Sequence, residues 1–369
     1  MAFCAQFVRM NDSATTGWRA EVLQPGSASG DARLAELRSQ GRIWETWDTL
    51  ENQLAELVIS REPGLKQDPA GVLAGVKREL GGRTWETYGL WVYFPWRGAL
   101  VRLLPEALFA ELRTNRNNNR ISPEEQRRLG QTTVGVVGLS VGASFALTLA
   151  MERAVGTLRL ADFDTIELSN LNRIRTPVTS LGLPKWLVTA REIAEIDPFL
   201  RVEVFPDGLK SHNTNAFFEG LDLVCDACDD LATKAAIRIQ ARGRQIPVVM
   251  DTSDRGMLDI ERYDWPDHIP HGYLHGRIDE QMMLLFAGSN RWTSDALDAF
   301  VDLGQISERG RASLAEVGRS LVAWPQLYGE VAAGGALAAQ AARRILLGES
   351  IPDTRLYLDL DEQLDESLH

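Results

Sequence analysis

Between Val134 and Ser253 the chain repeatedly switches hydrophobic period, and this alternation constrains the fold more than any other feature. The runs VGVVGL, LRLADFD, VEVFPDGL, LDLVCDAC and IPVVMDTS are apolar and of strand length, so they read as buried strands. Between them, Ala143 to Val155, Lys185 to Ile196 and a stretch ending at Ala241 read as helices. Strands joined through helices pair in parallel, because a parallel crossover needs a dozen or more residues. The expected class is therefore α/β, with a mainly parallel sheet and helices on both faces. Ser122-Pro123-Glu124-Glu125 marks a helix start upstream: Ser caps, Pro suits the first turn, and Glu125 completes a capping box.

The residues before this region follow another pattern. Residues 1 to about 30, rich in Gly, Ser, Ala and Thr, read as a flexible N-terminus. From Asp31 to Ile59, Leu34, Leu37, Ile43, Trp44, Trp47, Leu50, Leu54 and Leu57 recur at helical spacing and predict one or two amphipathic helices. Ala70 to Leu80 predicts another, stopped by Gly81-Gly82, and GLWVYFPWRGALVRLL predicts two strands turning at Pro95 to Gly98. Residues 31–115 are thus expected to form a smaller α+β accessory region, and 116–369 the main domain. Near the end, AWPQLYGEVAAGGALAAQAARRILLGE predicts a long helix whose Ala332, Gly335 and Ala339 allow close packing, and RLYLDLD predicts a strand.

Composition narrows the function classes. With 44% apolar and 24% charged residues the chain is ordinary for a globular protein. It has no run approaching the roughly 18 apolar residues of a membrane helix, and no apolar leader at its start. A net charge of −12 argues against nucleic-acid binding, which needs a basic face. Cys4, Cys225 and Cys228 cannot build a disulfide framework, so a reducing, cytoplasmic setting is expected.

The chemistry concentrates at strand ends. VGVVGLSVGAS joins a buried strand to a helix, aiming free N–H groups at an anion. Gly138 lets backbone approach phosphate, Gly142 eases helix entry, and Ser140 and Ala143 stand where fuller glycine loops have glycine. Asp162, at the end of the next strand, is where a Rossmann-like, doubly wound nucleotide fold places the carboxylate that accepts from ribose. The polar run ADFDTIELSNLNRIR then supplies Asp164, Asn170, Asn172, Arg173 and Arg175, a set suited to phosphates and a metal. Lys185 opens a helix from which its ammonium could reach an α-phosphate, and CDACDD places Asp226, Asp229 and Asp230 at another strand's carboxyl end, where a carboxylate could carry Mg²⁺.

In this order, GLSVGAS, DFDTIELSNLNR, Lys185 and DACDD give residues 116–348 a resemblance to the ThiF/MoeB/HesA family, which includes the ubiquitin-activating enzymes. The resemblance implies an ATP-dependent adenylyltransferase working as a homodimer on a carboxylate-bearing small molecule, peptide or protein C-terminus. Gly138, Ser140, Gly142, Asp162, Asp164, Asn170, Arg173 and Lys185 would bind ATP. Arg173, Lys185 and Asp229 would be the catalytic set, with Asp229 on Mg²⁺. Arg116 or Arg120 would reach the partner subunit's site. The implied reaction releases pyrophosphate and forms an acyl-adenylate.

The departures refine that expectation. Relatives that bind zinc use two C-x-x-C pairs, whereas here Cys225 and Cys228 form a single pair, expected as core residues on opposite faces of a strand, without zinc. No cysteine follows Cys228, so no thioester step is expected, and the adenylate would pass directly to a nucleophile or lose water. Asp230 replaces the family's Asn. His268, His271 and His275 lie in a Pro- and Gly-broken stretch and read as ordinary loop histidines, with substrate contact open. Two other readings remain: a catalytically inactive partner of a homologous enzyme, and an NAD-dependent oxidoreductase, which would not need Asn170, Arg173, Lys185 and Asp229.

Overall fold

The computed structural model describes residues 17–265, 272–289 and 291–366. Cys4, His268, His271 and the first part of the expected flexible N-terminus lie outside the described residues. The chain divides into two compact units, Met1–Ser122 with Ala194–Phe199, and Pro123–Ile193 with Leu200–His369.

The first unit holds a four-stranded sheet of β1 (Glu21–Leu23), β2 (Glu45–Asp48), β3 (Leu90–Phe94) and β4 (Ala99–Leu103), in the order β1-β3-β4-β2. Its helices are α1 (Ala28–Ser39), α2 (Leu50–Arg61), α3 (Pro69–Leu80) and α4 (Glu106–Arg113). The β3–β4 hairpin and α3 match expectation. Asp68 caps α3 by accepting from Gly71 N, Pro69 occupies its first turn, and Gly81 ends it at φ +58°. Two short strands were not foreseen. β1 falls inside the stretch read as flexible, and β2, pairing in parallel with β4, interrupts the stretch read as helical. Trp44 and Trp47 mimic a helical face by their spacing, yet both are exposed on or beside an edge strand. A three- or four-residue strand is too short to show its own period.

The second unit contains a seven-stranded sheet in the order β11-β10-β9-β8-β5-β6-β7. Its strands are β5 (Thr133–Val137), β6 (Thr157–Ala161), β7 (Arg201–Phe205), β8 (Leu223–Asp226), β9 (Val248–Thr252), β10 (Met257–Glu261) and β11 (Thr354–Tyr357). β5 to β9 run parallel, as expected, while β10 and β11 add antiparallel pairings. The helices are α5 (Pro123–Leu129), α6 (Gly142–Glu152), α7 (Lys185–Ile196), α8 (Thr214–Phe218), α9 (Leu231–Arg244), α10 (Glu280–Ala287), α11 (Ser294–Val301), α12 (Glu308–Leu314), α13 (Tyr328–Leu346) and α14 (Leu360–Glu366). The fold is α/β, with these helices around a mostly parallel sheet.

Central strands are covered on both faces. A Cβ on Gly135 would meet Phe217 and Leu221, whereas Val136 faces Gly142 of α6. Against α6 lies α13, where a Cβ on Gly335 would come within 2.5 Å of Ser144 Oγ, so the small-residue face serves close packing. The helix begins at Tyr328, later than its sequence pattern suggested, with Glu330 Oε2 accepting from Leu327 N at 3.2 Å just before it.

Charges also penetrate this core. Arg238 is fully buried, with Nη1 2.5 Å from Asp226 Oδ2 and Nε 2.7 Å from Glu261 Oε1. Lys234 adds a contact of 3.2 Å to Asp226 Oδ1. Burial works against the charge on Asp226, but Lys234 and Arg238 together hold its carboxyl below the usual range. Breaking such a pair from one side leaves buried charge uncompensated. Arg238→Met is therefore expected to cost about 3–5 kcal/mol in urea unfolding, and adding Asp226→Asn and Glu261→Gln should restore part of it. A loss under about 1 kcal/mol for the single variant would contradict this role.

Candidate active site

The strand order fixes where a ligand can sit. From β5 the chain moves outward through β6 and β7, then returns to β8 on the other side of β5. Connections diverge at that reversal and leave a crevice at the carboxyl ends of β5 and β8. The glycine loop after β5 lies there. Gly138 has φ +91°, and a Cβ on it would stand 2.3 Å from Ala227 O, in the turn after β8. A Cβ on Gly142 already has Val136 Cγ1 at 2.8 Å and Ala227 Cβ at 2.9 Å, so both glycines permit close backbone approach.

Asp162 is buried beside this loop. Its Oδ2 accepts from Leu139 N at 2.6 Å and its Oδ1 from Asp164 N at 2.7 Å. Burial raises its pKa, opposed by those two backbone donors. The aspartate therefore pins the glycine loop to the end of β6, besides any contact with a ligand.

The polar loop after β6 folds back onto the same loop. Arg173 Nε donates to Ser140 Oγ at 3.2 Å, and its Nη1 donates to Ser169 O and Asn172 Oδ1, each at 3.1 Å. Lys185, the first residue of α7, places Nζ 2.8 Å from Asp164 Oδ2, so a cation–carboxylate pair stands next to Asp162. Asn170 is buried and turned inward, its Oδ1 accepting from Glu167 N at 3.1 Å. Arg175 is taken up by Glu192 at 2.5 Å. A cavity of about 170 Å³ opens at this point, with Ser140, Ser144, Thr148, Arg173, Glu192 and Tyr328 among its walls.

The three aspartates at and just beyond the end of β8 divide into separate roles. Asp226 belongs to the buried pair with Arg238 and Lys234. Asp230 caps α9, accepting from Thr233 N at 2.8 Å and Thr233 Oγ1 at 2.6 Å, which gives the residue standing in place of Asn a structural use. Asp229 is exposed, and its carbonyl accepts from Trp292 Nε1 at 3.3 Å. No group of three His, Cys, Asp or Glu among the described residues could hold a metal by itself. A hard cation would therefore fit here only on Asp229 together with ligand oxygens, the usual situation of phosphate-bound Mg²⁺.

Cys225 is buried in β8, but Cys228 lies past the strand's end at Asp226, so strand alternation does not relate the two. Cys228 Sγ donates to Asp226 Oδ1 at 3.2 Å. Burial of the sulfur and the Asp226 carboxylate push its pKa well up, the opposite of an activated thiol. His275 is no ordinary loop histidine. Its Nε2 is 3.0 Å from Asp259 Oδ2, and its Nδ1 meets Asp353. Burial opposes its charge, but the two carboxylates raise its pKa to about 10. Arg116 and Arg120 are exposed and belong to the first unit.

Residues 113–255 match the model of the ThiF family. An uncharacterized protein of Mycobacterium tuberculosis is 42% identical over 322 residues, covering 84% of this chain and 44% of that protein. A sulfur carrier protein adenylyltransferase of Thermus thermophilus is 33% identical over 115 residues, 31% of this chain and 42% of that protein. A tRNA threonylcarbamoyladenosine dehydratase of Bacillus subtilis is 28% identical over 155 residues, 42% of this chain and 61% of that protein. The chain thus spans less than two thirds of each of these curated relatives. Among solved structures, the E. coli tRNA N6-threonylcarbamoyladenosine dehydratase in complex with ATP aligns at a TM-score of 0.47 and 22% identity, over 67% of this chain and 97% of that one.

Asp251, at the end of β9, was not singled out in the sequence, although its place at a strand's carboxyl end was visible there. It is buried, and neither carboxylate oxygen has a hydrogen-bond partner among the described residues. Burial raises its pKa from 3.8 to about 6, partly offset by its own backbone N–H and by Lys234. Its carboxyl therefore favours the folded state fully below pH 3.8 and loses that contribution as pH rises through about 6. Asp251→Asn is expected to be more stable than the native chain by about 2 kcal/mol at pH 8. The gain should shrink as pH falls towards 4, read from denaturant midpoints; a gain independent of pH would contradict the assignment.

Proposed function

By its residues 113–255 this chain belongs to the ThiF family, and from that premise we propose that it is an ATP- and Mg²⁺-dependent adenylyltransferase that activates a carboxylate. The observation that supports this most is the hydrogen bond from Arg173 Nε to Ser140 Oγ, which sets a guanidinium on the glycine loop at the start of α6. A dinucleotide's pyrophosphate could also use this loop, but hydride transfer does not need Asn170, Arg173, Lys185 and Asp229 together, whereas attack on a triphosphate does.

In the proposed reaction a substrate carboxylate oxygen attacks the α-phosphorus of ATP. A new P–O bond forms, the α–β bridging bond breaks, and pyrophosphate leaves with its electron pair. Asp162 would accept from the ribose hydroxyls, adding to the loop contacts it already makes. Arg173 and the backbone N–H groups of the glycine loop would hold the phosphates. Lys185, poised on Asp164, would neutralise charge as the α-phosphorus becomes five-coordinate. Asp229 would hold Mg²⁺, which supplies charge neutralisation on the leaving pyrophosphate. The chain contributes positioning and fixed charge without a nucleophile of its own. The deactivated Cys228 thiol favours direct transfer of the acyl group, or loss of water, over a thioester.

The test is carboxylate-dependent exchange of labelled pyrophosphate into ATP, across amino acids, peptides and small-protein C-termini. Exchange is expected with one of these classes. Arg173→Ala and Lys185→Ala should each lower it about 10²–10³-fold with the fold intact by circular dichroism. Asp229→Ala should abolish Mg²⁺-dependent exchange, and retained exchange would contradict the metal assignment. A protein that neither binds ATP nor exchanges with any candidate is a non-catalytic partner instead.

A further inference from the structure

Of the groups in the crevice, Arg173 depends most on its neighbours, because a long flexible stem must be ordered before its planar fork can bind. Ser140 and Ser169 supply part of that order. The rest comes from Asn172, which uses both ends of its amide. Oδ1 accepts from Arg173 Nη1 at 3.1 Å, while Nδ2 donates to Gln326 O at 2.7 Å. The main-chain carbonyl of Asn172 also accepts from Tyr328 N at 3.2 Å, at the start of α13. Gln326 continues the series, its Nε2 donating to Ser253 Oγ at 3.0 Å, and Ser253 is buried just past β9. A single line of hydrogen bonds thus runs from the glycine loop after β5, through Arg173, Asn172 and Gln326, to the turn after β9.

In the segment that this line captures, residues 322–327, Trp324 and Gln326 are half-buried and the other four are exposed. Residues 322–327 form neither helix nor strand. Val322 is 100% exposed and Leu327 64%, so apolar packing does not fix them. Polar links at Gln326 and Tyr328 attach it to the crevice.

We infer that Asn172 is a positioning residue: its Oδ1 sets the Arg173 guanidinium for phosphate, and its Nδ2 makes that setting conditional on residues 322–327 being docked. This rests on the reading that the crevice takes ATP and that Arg173 contacts it. Asn172 needs no contact with the nucleotide.

The test is titration of the full chain with ATP and Mg²⁺, which needs no acyl substrate, on Asn172→Ala, Ser253→Ala, Arg173→Ala and the pairs with Arg173→Ala. Asn172→Ala should weaken ATP binding roughly tenfold, the scale of the two exposed side-chain hydrogen bonds it removes. Ser253→Ala, at the far end of the line, should weaken it about two- to threefold. Both losses should vanish in the Arg173→Ala background, because the two residues act through the guanidinium. A merely structural role would lower the thermal midpoint and leave the Arg173-dependent part of binding unchanged. Losses that multiply with that of Arg173→Ala overturn the positioning role and leave the nucleotide reading standing. If Arg173→Ala itself binds ATP like the native chain, the phosphate role of Arg173 falls and the positioning role falls with it.

Discussion

The contact between the glycine loop and the turn after β8 governs the second unit. Gly138, with φ +91°, brings its Cα so near Ala227 that a side chain there would overlap the carbonyl. That approach closes the floor of the crevice created where the strand order reverses between β5 and β8. Asp162 then ties the loop to β6 through Leu139 N, and Arg173 ties the following polar loop to Ser140. Parts far apart in the chain therefore meet over a few ångströms, because backbone is allowed where a Cβ would not fit.

Acidic residues serve quite different ends within this framework. Asp226 and Glu261 are buried and held by Arg238, so they belong to the core. Asp230 ends up as a helix cap, and Asp229 alone of its turn presents an exposed carboxylate. Burial raises the pKa of Asp251, whose carboxylate has no side-chain partner among the described residues. Asp259 and Asp353 enclose His275 and keep it charged. A net charge of −12 thus says little about the site, since several acidic residues are paired with buried cations and others are capped or isolated.

The polar loop carries a similar division. Of the residues that looked suited to phosphate, Arg173 and Lys185 stand at the crevice, Arg175 is neutralised by Glu192, and Asn170 turns its carbonyl oxygen inward to Glu167. Asn172 connects the loop to the segment before α13. Residue type made all of them candidates, but hydrogen-bond partners sort them.

The sequence by itself determined the parallel core, since buried strands alternating with helices leave few other ways to cover both faces of a sheet. It also determined the glycine loop, the position of Asp162 and the helix start at Lys185, because these follow from local chemistry within a few residues. The strands β1 and β2 were hidden by their shortness, and Trp44 and Trp47 imitated a helical stripe. Only the tertiary structure decided that β10 and β11 extend the sheet antiparallel, that Cys228 lies outside its strand, and which carboxylates are buried beside cations. Those outcomes depend on contacts between residues distant in the chain, where burial and charge pairing are set by the neighbour and not by the spacing.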